Sequence, residues 1–231
     1  MDPWVRWDWV TTHLDDIGSA TREHVVFTVV ATLIGLAISF PLALAARRWR
    51  WLATPVLSTT GILYTIPSLA LFGLLTPWTG LSRTTAIIGL VTYTLLILIR
   101  NIVTGLDGVA PEVREAATAM GFGPLRRLLR IELPLAAPVI VAGVRIAVVT
   151  TIGLVTVTAY IGQGGLGRLI LDGLTRDFRT PLVVGSVLSV ALAVLADVGL
   201  AALQRRLTPW GDHGVRATQA DHGVRATQAG G

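Results

Sequence analysis

Five apolar stretches, at about 25–46, 54–75, 85–99, 135–160 and 181–203, take up most of the chain and narrow its folding options more than any other feature. A hydrocarbon core about 30 Å thick is crossed by roughly 20 helical residues, because only a helix or a closed barrel satisfies its own backbone groups there. Only 14% of the 231 residues are charged and 52% are hydrophobic, against about 25% charged in an ordinary soluble domain. The predicted fold is an all-α membrane protein with five transmembrane helices, or six. The third stretch is short, about 22 Å at 1.5 Å per residue, so it must borrow residues 81–84 or 100–103 as polar or snorkelling ends.

Residue types that are missing remove whole chemistries. All nineteen Lys/Arg positions are arginine, which excludes a phosphate-binding loop ending in Gly-Lys-Ser/Thr, a Schiff-base lysine and a lysine general base. No cysteine is present, so disulfides, thiolate nucleophiles and cysteine metal sites are excluded too. His13, His24, His213 and His222 lie outside the apolar stretches without ligand-like spacing, and no metal site is expected. The net charge of +5 comes from arginines flanking apolar stretches rather than forming one basic face, so no nucleic-acid partner is expected.

The chain divides into an extracytoplasmic N-terminal segment (1–24), a transmembrane domain (25–205) and a cytoplasmic tail (206–231). An acidic N-terminus and a first apolar run of over twenty residues predict a retained anchor rather than a cleaved leader. With the N-terminus outside, ten arginines of the loops face the cytoplasm and six face outward, the bias expected of positive-inside topology. All seven tryptophans fall outside the apolar stretches, as an interfacial belt requires. Tyr64 and Tyr93 lie within spans and Tyr160 ends one; their hydroxyls need protein partners or water. In the tail, DHGVRATQA at 212–220 repeats unchanged at 221–229; so polar a repeat has no apolar face to bury and predicts disorder.

One polar segment, 107–134, separates the third and fourth stretches. It reads as two short helices. Pro111 suits the first turn of one, Glu112 its positive end, and Gly121 a left-handed stop. The second starts at Pro124 and must end near Leu133, before Pro134, with Leu125, Leu128 and Leu129 on one face and Arg126 and Arg130 on another. Ala116, Ala117 and Ala119, with Met120 at the end, leave a surface that another protein can approach closely. On physical grounds alone an amphipathic linker fits the same residues.

The spacing Glu115-Ala116-Ala117, Gly121, then Ile131-Glu132-Leu133-Pro134 resembles the EAA loop of binding-protein-dependent ABC importer permeases. The resemblance implies a type I importer fold in which this loop is a cytoplasmic coupling helix docked on an ATP-binding subunit. On that reading Glu115, Ala116, Ala117, Met120 and Gly121 dock the ATPase, and Ile131, Leu133 and Pro134 anchor the segment to the fourth span. Further stretches, Tyr64-Thr65-Ile66-Pro67-Ser68-Leu69-Ala70, Leu98-Ile99-Arg100-Asn101 and residues 159–167, resemble the osmoprotectant branch, whose members import glycine betaine, choline, carnitine or proline betaine. Tyr64 departs from that pattern, where relatives more often carry glutamine. The likeness covers about four-fifths of the chain, roughly 20–205. It implies a non-catalytic subunit that binds no cofactor, with ATP and magnesium on the partner ATPase. The other implied partners are an extracytoplasmic solute-binding protein, a second permease (a copy or a relative) and membrane lipid. A permease for another small solute such as an amino acid, an intramembrane enzyme and a scaffold are the rival readings.

Within the spans, Tyr64, Thr65, Ser68, Tyr93, Thr94, Thr150, Thr151 and Thr158 are candidates for the translocation path. Aromatic faces attract quaternary ammonium groups without a full countercharge; equally, threonines bond to their own helix carbonyls and tyrosines pack between helices. Gly162, Gly164, Gly165 and Gly167 follow the fourth span and are a candidate outer gate, or a plain connecting turn. They also satisfy a dinucleotide-binding spacing, which carries meaning only between a strand and a helix. Arg145 and Asp197 sit roughly 15 Å and 9 Å from the cytoplasmic ends of their spans. Isolated charges there are costly, so the two are expected to pair.

Overall fold

The computed structural model describes residues 4–207; the duplicated tail and Trp210 lie outside the described residues. Ten α-helices, one π-helical turn and one 3-10 turn make up its regular structure, with no strand among the described residues. A short α1 (Trp7–Thr12) leads into α2 (Leu14–Arg48), α3 (Arg50–Thr65), α4 (Ser68–Thr79) and α5 (Arg83–Asp107). The polar segment holds α6 (Pro111–Ala119) and α7 (Pro124–Arg127), and then come α8 (Leu133–Val157), α9 (Leu166–Thr175) and α10 (Arg179–Leu207). Four helices are long and apolar enough to cross a membrane, and α3 with α4 makes a fifth span if the bent pair counts as one.

The second stretch, expected as one span over 54–75, is a broken pair bent by 100°. Pro67 has no N–H and disfavours helical geometry in the residue before it. Ile66 accordingly turns extended (φ −65, ψ 127), and a new helix starts at Ser68. The third span, by contrast, gains length at both ends: Ser82 accepts from the Thr85 N–H at 3.3 Å, and the helix runs on past Arg100 and Asn101 to Asp107.

Expected to end before Pro134, the helix that starts at Pro124 instead continues through a π-helical turn, Leu128–Glu132, straight into α8. Pro134 falls in the first turn of α8, where a missing N–H costs little. Nor is the Leu125/Leu128/Leu129 face buried as one unit: Leu128 packs on the core while Leu125 and Leu129 stay 69% and 54% exposed. His24, read as lying outside the spans, is fully buried within α2 with Nε2 3.0 Å from the Ile152 carbonyl oxygen of α8.

Buried α5 lies at the centre of the bundle, against α2, α3, α4 and α8. One core layer joins Phe27 and Ala31 of α2, Phe72 of α4, Leu90 of α5 and Val155 of α8. A second, nearer α6, joins Ala43, Ile99, Ile102, Leu106 and Ala136. Small residues let the helices approach closely, as in membrane bundles generally: a Cβ at Gly35 would overlap Thr94, one at Gly89 the Phe72 ring, and one at Gly143 Asn101. α10 packs on α8 and α9 and leaves Val187, Val190, Val194, Leu195 and Val198 exposed.

Candidate functional site

Helix α6 and the start of α7 form a knuckle at one end of the bundle. Gly121 adopts φ +83, and the Gly121 and Phe122 N–H groups donate to the Thr118 and Ala117 carbonyls at 3.0 and 3.1 Å. This paired closure of a helix end is a Schellman motif, which needs the left-handed residue that glycine supplies. Glu115, Ala116, Met120 and Gly121 are exposed, as are Leu125 and Leu129, whereas Ala117 is buried. The small-residue side of α6 is therefore split: Ala117 seats the helix on its own chain and Ala116 faces out.

Beneath the knuckle lies the carboxylate of Glu132, which the Ile131-Glu132-Leu133-Pro134 motif contains but to which it assigns no role. The Glu132 side chain is only 2% exposed and is surrounded by arginines. Its Oε2 accepts from Arg47 Nη1 of α2 at 2.6 Å and its Oε1 from Arg127 Nε of α7 at 2.9 Å, with Arg114 Nε of α6 at 3.9 Å. Arg47 Nε also donates to Asp107 Oδ1 at 3.0 Å, Arg114 Nη2 to the Leu106 carbonyl at 2.8 Å, and Arg127 Nη1 to Thr118 Oγ1 at 2.9 Å. The last-turn carbonyls of α5 are thus capped by a side chain of α6, and one carboxylate ties together four elements. Ile131, Leu133 and Pro134 flank it, all half-buried, with Leu133 against the core.

At the α3–α4 break the rings of Tyr64 and Tyr93 meet edge to face at 5.7 Å between centroids. Tyr93 is buried and its hydroxyl donates to the Ile66 carbonyl, which the break leaves without a helical partner. Tyr64 and Thr65 are exposed, and Ser68 is half-buried at the start of α4. Thr150, on α8, is half-buried as well. Thr94, Thr151 and Thr158 are buried, donating to the Val91, Ala147 and Val155 carbonyls of the preceding turn. All three are therefore enclosed by this subunit's own helices.

Of the glycines after α8, Gly162, Gly164 and Gly165 have φ of +74, +118 and +47. Gly165 lies against the α2 backbone at Ala20 and His24, and a Cβ on Gly167 would overlap Thr156. Arg145 and Asp197 form a two-point ion pair, Nη2 to Oδ1 at 2.9 Å and to Oδ2 at 3.0 Å. Gln204 extends it, accepting from Arg145 Nη1 at 3.2 Å and donating to the Pro138 carbonyl at 2.9 Å. Among the described residues no group of three His, Cys, Asp or Glu is placed to hold a metal.

Four apolar helices of spanning length, or five spans with the bent pair, define a polytopic membrane protein. Residues 26–209 match the family described as "Binding-protein-dependent transport system inner membrane component", and the chain belongs to that family. It is 39% identical to the osmoprotectant import permease protein OsmW of Salmonella typhimurium, over 86% of this chain and 96% of the relative. It is 35% identical to the choline transport system permease protein OpuBB of Bacillus subtilis, over 83% and 88%. Among solved structures, an inward-facing MetNI methionine ABC transporter chain superposes with TM-score 0.75 at 21% identity, covering 85% of this chain and 98% of that one. An amino acid ABC transporter structure gives TM-score 0.72 at 17% identity, covering 87% and 99%. The chain is a non-catalytic, multi-pass permease subunit of an ABC importer, a family whose members work with ATP-binding and substrate-binding partners.

Proposed function

We propose that this permease passes quaternary ammonium osmoprotectants, glycine betaine, choline, carnitine or proline betaine, into the cell. The observation that carries the reading is its likeness, over more than four-fifths of its length, to permeases named for osmoprotectants and choline. The Tyr64–Tyr93 pair supports it, since aromatic faces attract a quaternary ammonium group without binding it too tightly to leave. Tyr64, Thr65, Ser68 and Thr150 are the proposed contacts on the path, and the Gly162–Gly167 turn the proposed outer gate.

In this reading the N-terminus lies outside and the knuckle is cytoplasmic. Glu115, Ala116, Met120, Gly121, Leu125 and Leu129 meet an ATP-binding subunit that carries ATP and magnesium, while Ala117 holds α6 to the bundle. A second permease, a copy or a relative, completes the pore, and an extracytoplasmic binding protein delivers the solute.

The test is uptake of labelled betaine, choline and carnitine by vesicles holding this chain, its ATP-binding subunit and its binding protein. ATP-dependent uptake of at least one is expected. No uptake of any of them overturns the substrate assignment and leaves the importer class standing.

A further inference from the structure

Glycines sit on both sides of α6. Gly108 follows α5, while Gly121 and Gly123 separate α6 from α7, and a Cβ at either of the latter two would meet nothing within 4 Å. Glycine itself restrains the backbone little, so α6 is held to the helices behind it by the two backbone bonds of the Gly121 turn, by buried Ala117 and by polar side chains. The side chains add the longest-reaching of these ties. Starting from α6, Thr118 bonds to Arg127, Arg127 to Glu132, Glu132 to Arg47 at the end of α2, and Arg47 to Asp107 at the end of α5. Each link is a directional hydrogen bond to a charged group, and those to Glu132 are short.

We propose that Glu132 is the positioning residue that joins the α6–Gly121–α7 knuckle to the feet of α2 and α5, so that a displacement imposed on the knuckle reaches the pore. The inference rests on the knuckle's being the site where the ATP-binding subunit docks. Glu132 suits the role because both of its oxygens are engaged, by arginines from different elements, and its burial shields those bonds from competing water. The π-helical turn that ends at Glu132 keeps it in the same continuous helix as α8, so the carboxylate is rigidly attached to a spanning segment. Arg114 adds a second brace from α6 to the Leu106 carbonyl, but with no bond closer than 3.9 Å to the carboxylate.

The experiment compares wild type, Glu132→Gln and Glu132→Asp in vesicles containing the whole importer. It measures ATP hydrolysis, solute uptake and the amount of ATP-binding subunit that co-purifies. Glu132→Gln should keep its ATP-binding subunit and continue to hydrolyse ATP, while uptake per ATP falls about tenfold, the loss expected when roughly 1.4 kcal/mol of coupling is removed. Glu132→Asp should recover part of it. The chain contains no cysteine, so spin labels can be placed at Glu112→Cys and Trp49→Cys, both exposed and outside the cluster. In wild type their separation should hold steady when nucleotide is trapped; with Glu132→Gln it should broaden and shift. Unchanged uptake per ATP together with unchanged label distances overturns the inference. So does a parallel loss of hydrolysis, uptake and co-purified subunit, which would make Glu132 merely structural. Should the wild-type importer take up none of the labelled osmoprotectants, the substrate reading fails, and the label distances still decide the role of Glu132.

Discussion

Arg145 and Asp197 are charges inside the apolar stretches of α8 and α10, and each is tolerated because of the other. Two nitrogens of one guanidinium face a single carboxylate, and Gln204 closes the cluster onto the Pro138 carbonyl. Because the side chains are 28% and 44% exposed within the single subunit, the coupling is set well below that of a fully buried pair: about 1–2 kcal/mol in a double-mutant cycle of Arg145→Met and Asp197→Leu, read as thermal stability in detergent. Additive effects of the two substitutions would dismiss the pair as a stabilising contact. At Tyr93 the consequence is different. Tyr93→Phe keeps the ring against Tyr64 but strips the Ile66 carbonyl of its donor, which should cost about 1–3 kcal/mol of stability. Tyr64→Ala removes no such bond and should lower uptake at equal expression; unchanged uptake would take the aromatic pair off the path.

At the scale of elements, packing between α4 and α5 depends on a missing Cβ. Gly89→Ala should destabilise the chain by about 1–3 kcal/mol by pushing into the buried Phe72 ring. Gly153→Ala, where a Cβ meets nothing within 4 Å, should not. Similar shifts in thermal midpoint for both would mean that the close approach carries no energy. The elements also show which parts of the structure were legible beforehand. Long apolar helices could be read because length and composition alone determine them. The break at Pro67 could not, since Pro41, Pro55, Pro77 and Pro138 all sit inside helices that continue. One proline looks like another in sequence, and only packing decides whether the lost hydrogen bond bends a helix or ends it. Pro134 misled in the opposite direction, because a π-helical turn carries the chain into it unbroken. As for the Glu132 cluster, Arg47 is 85 residues from Glu132 and reads in isolation as an ordinary loop charge. Arg145 and Asp197 could be paired from sequence because a charge within an apolar stretch demands a partner, whereas Glu132 lies among arginines where no such demand is visible.

For the whole molecule, the exposed apolar surface falls into regions with different coverings. The faces of α2 and α10, with Val26, Val29 and Leu33 on one and Val187, Val190 and Val194 on the other, belong to helices of membrane-crossing length and need only lipid or a neighbouring span. Leu125 and Leu129 stand at the far end of such a helix, ahead of its apolar stretch, on the knuckle with Met120 and beside Arg126 and Arg130. Under the proposed docking of the ATP-binding subunit both leucines are covered, each being worth about 1.5–3 kcal/mol when fully buried. The double substitution Leu125→Glu/Leu129→Glu should therefore weaken retention of the ATP-binding subunit at least about a hundredfold. Because both side chains are already exposed in the subunit, the thermal midpoint of the isolated permease should hardly change. The control is Val190→Thr/Val194→Thr on α10, which should leave the ATP-binding subunit bound. Full retention by the leucine variant, or equal loss from both variants, would move the docking surface away from the knuckle, and the coupling role of Glu132 would fall with it.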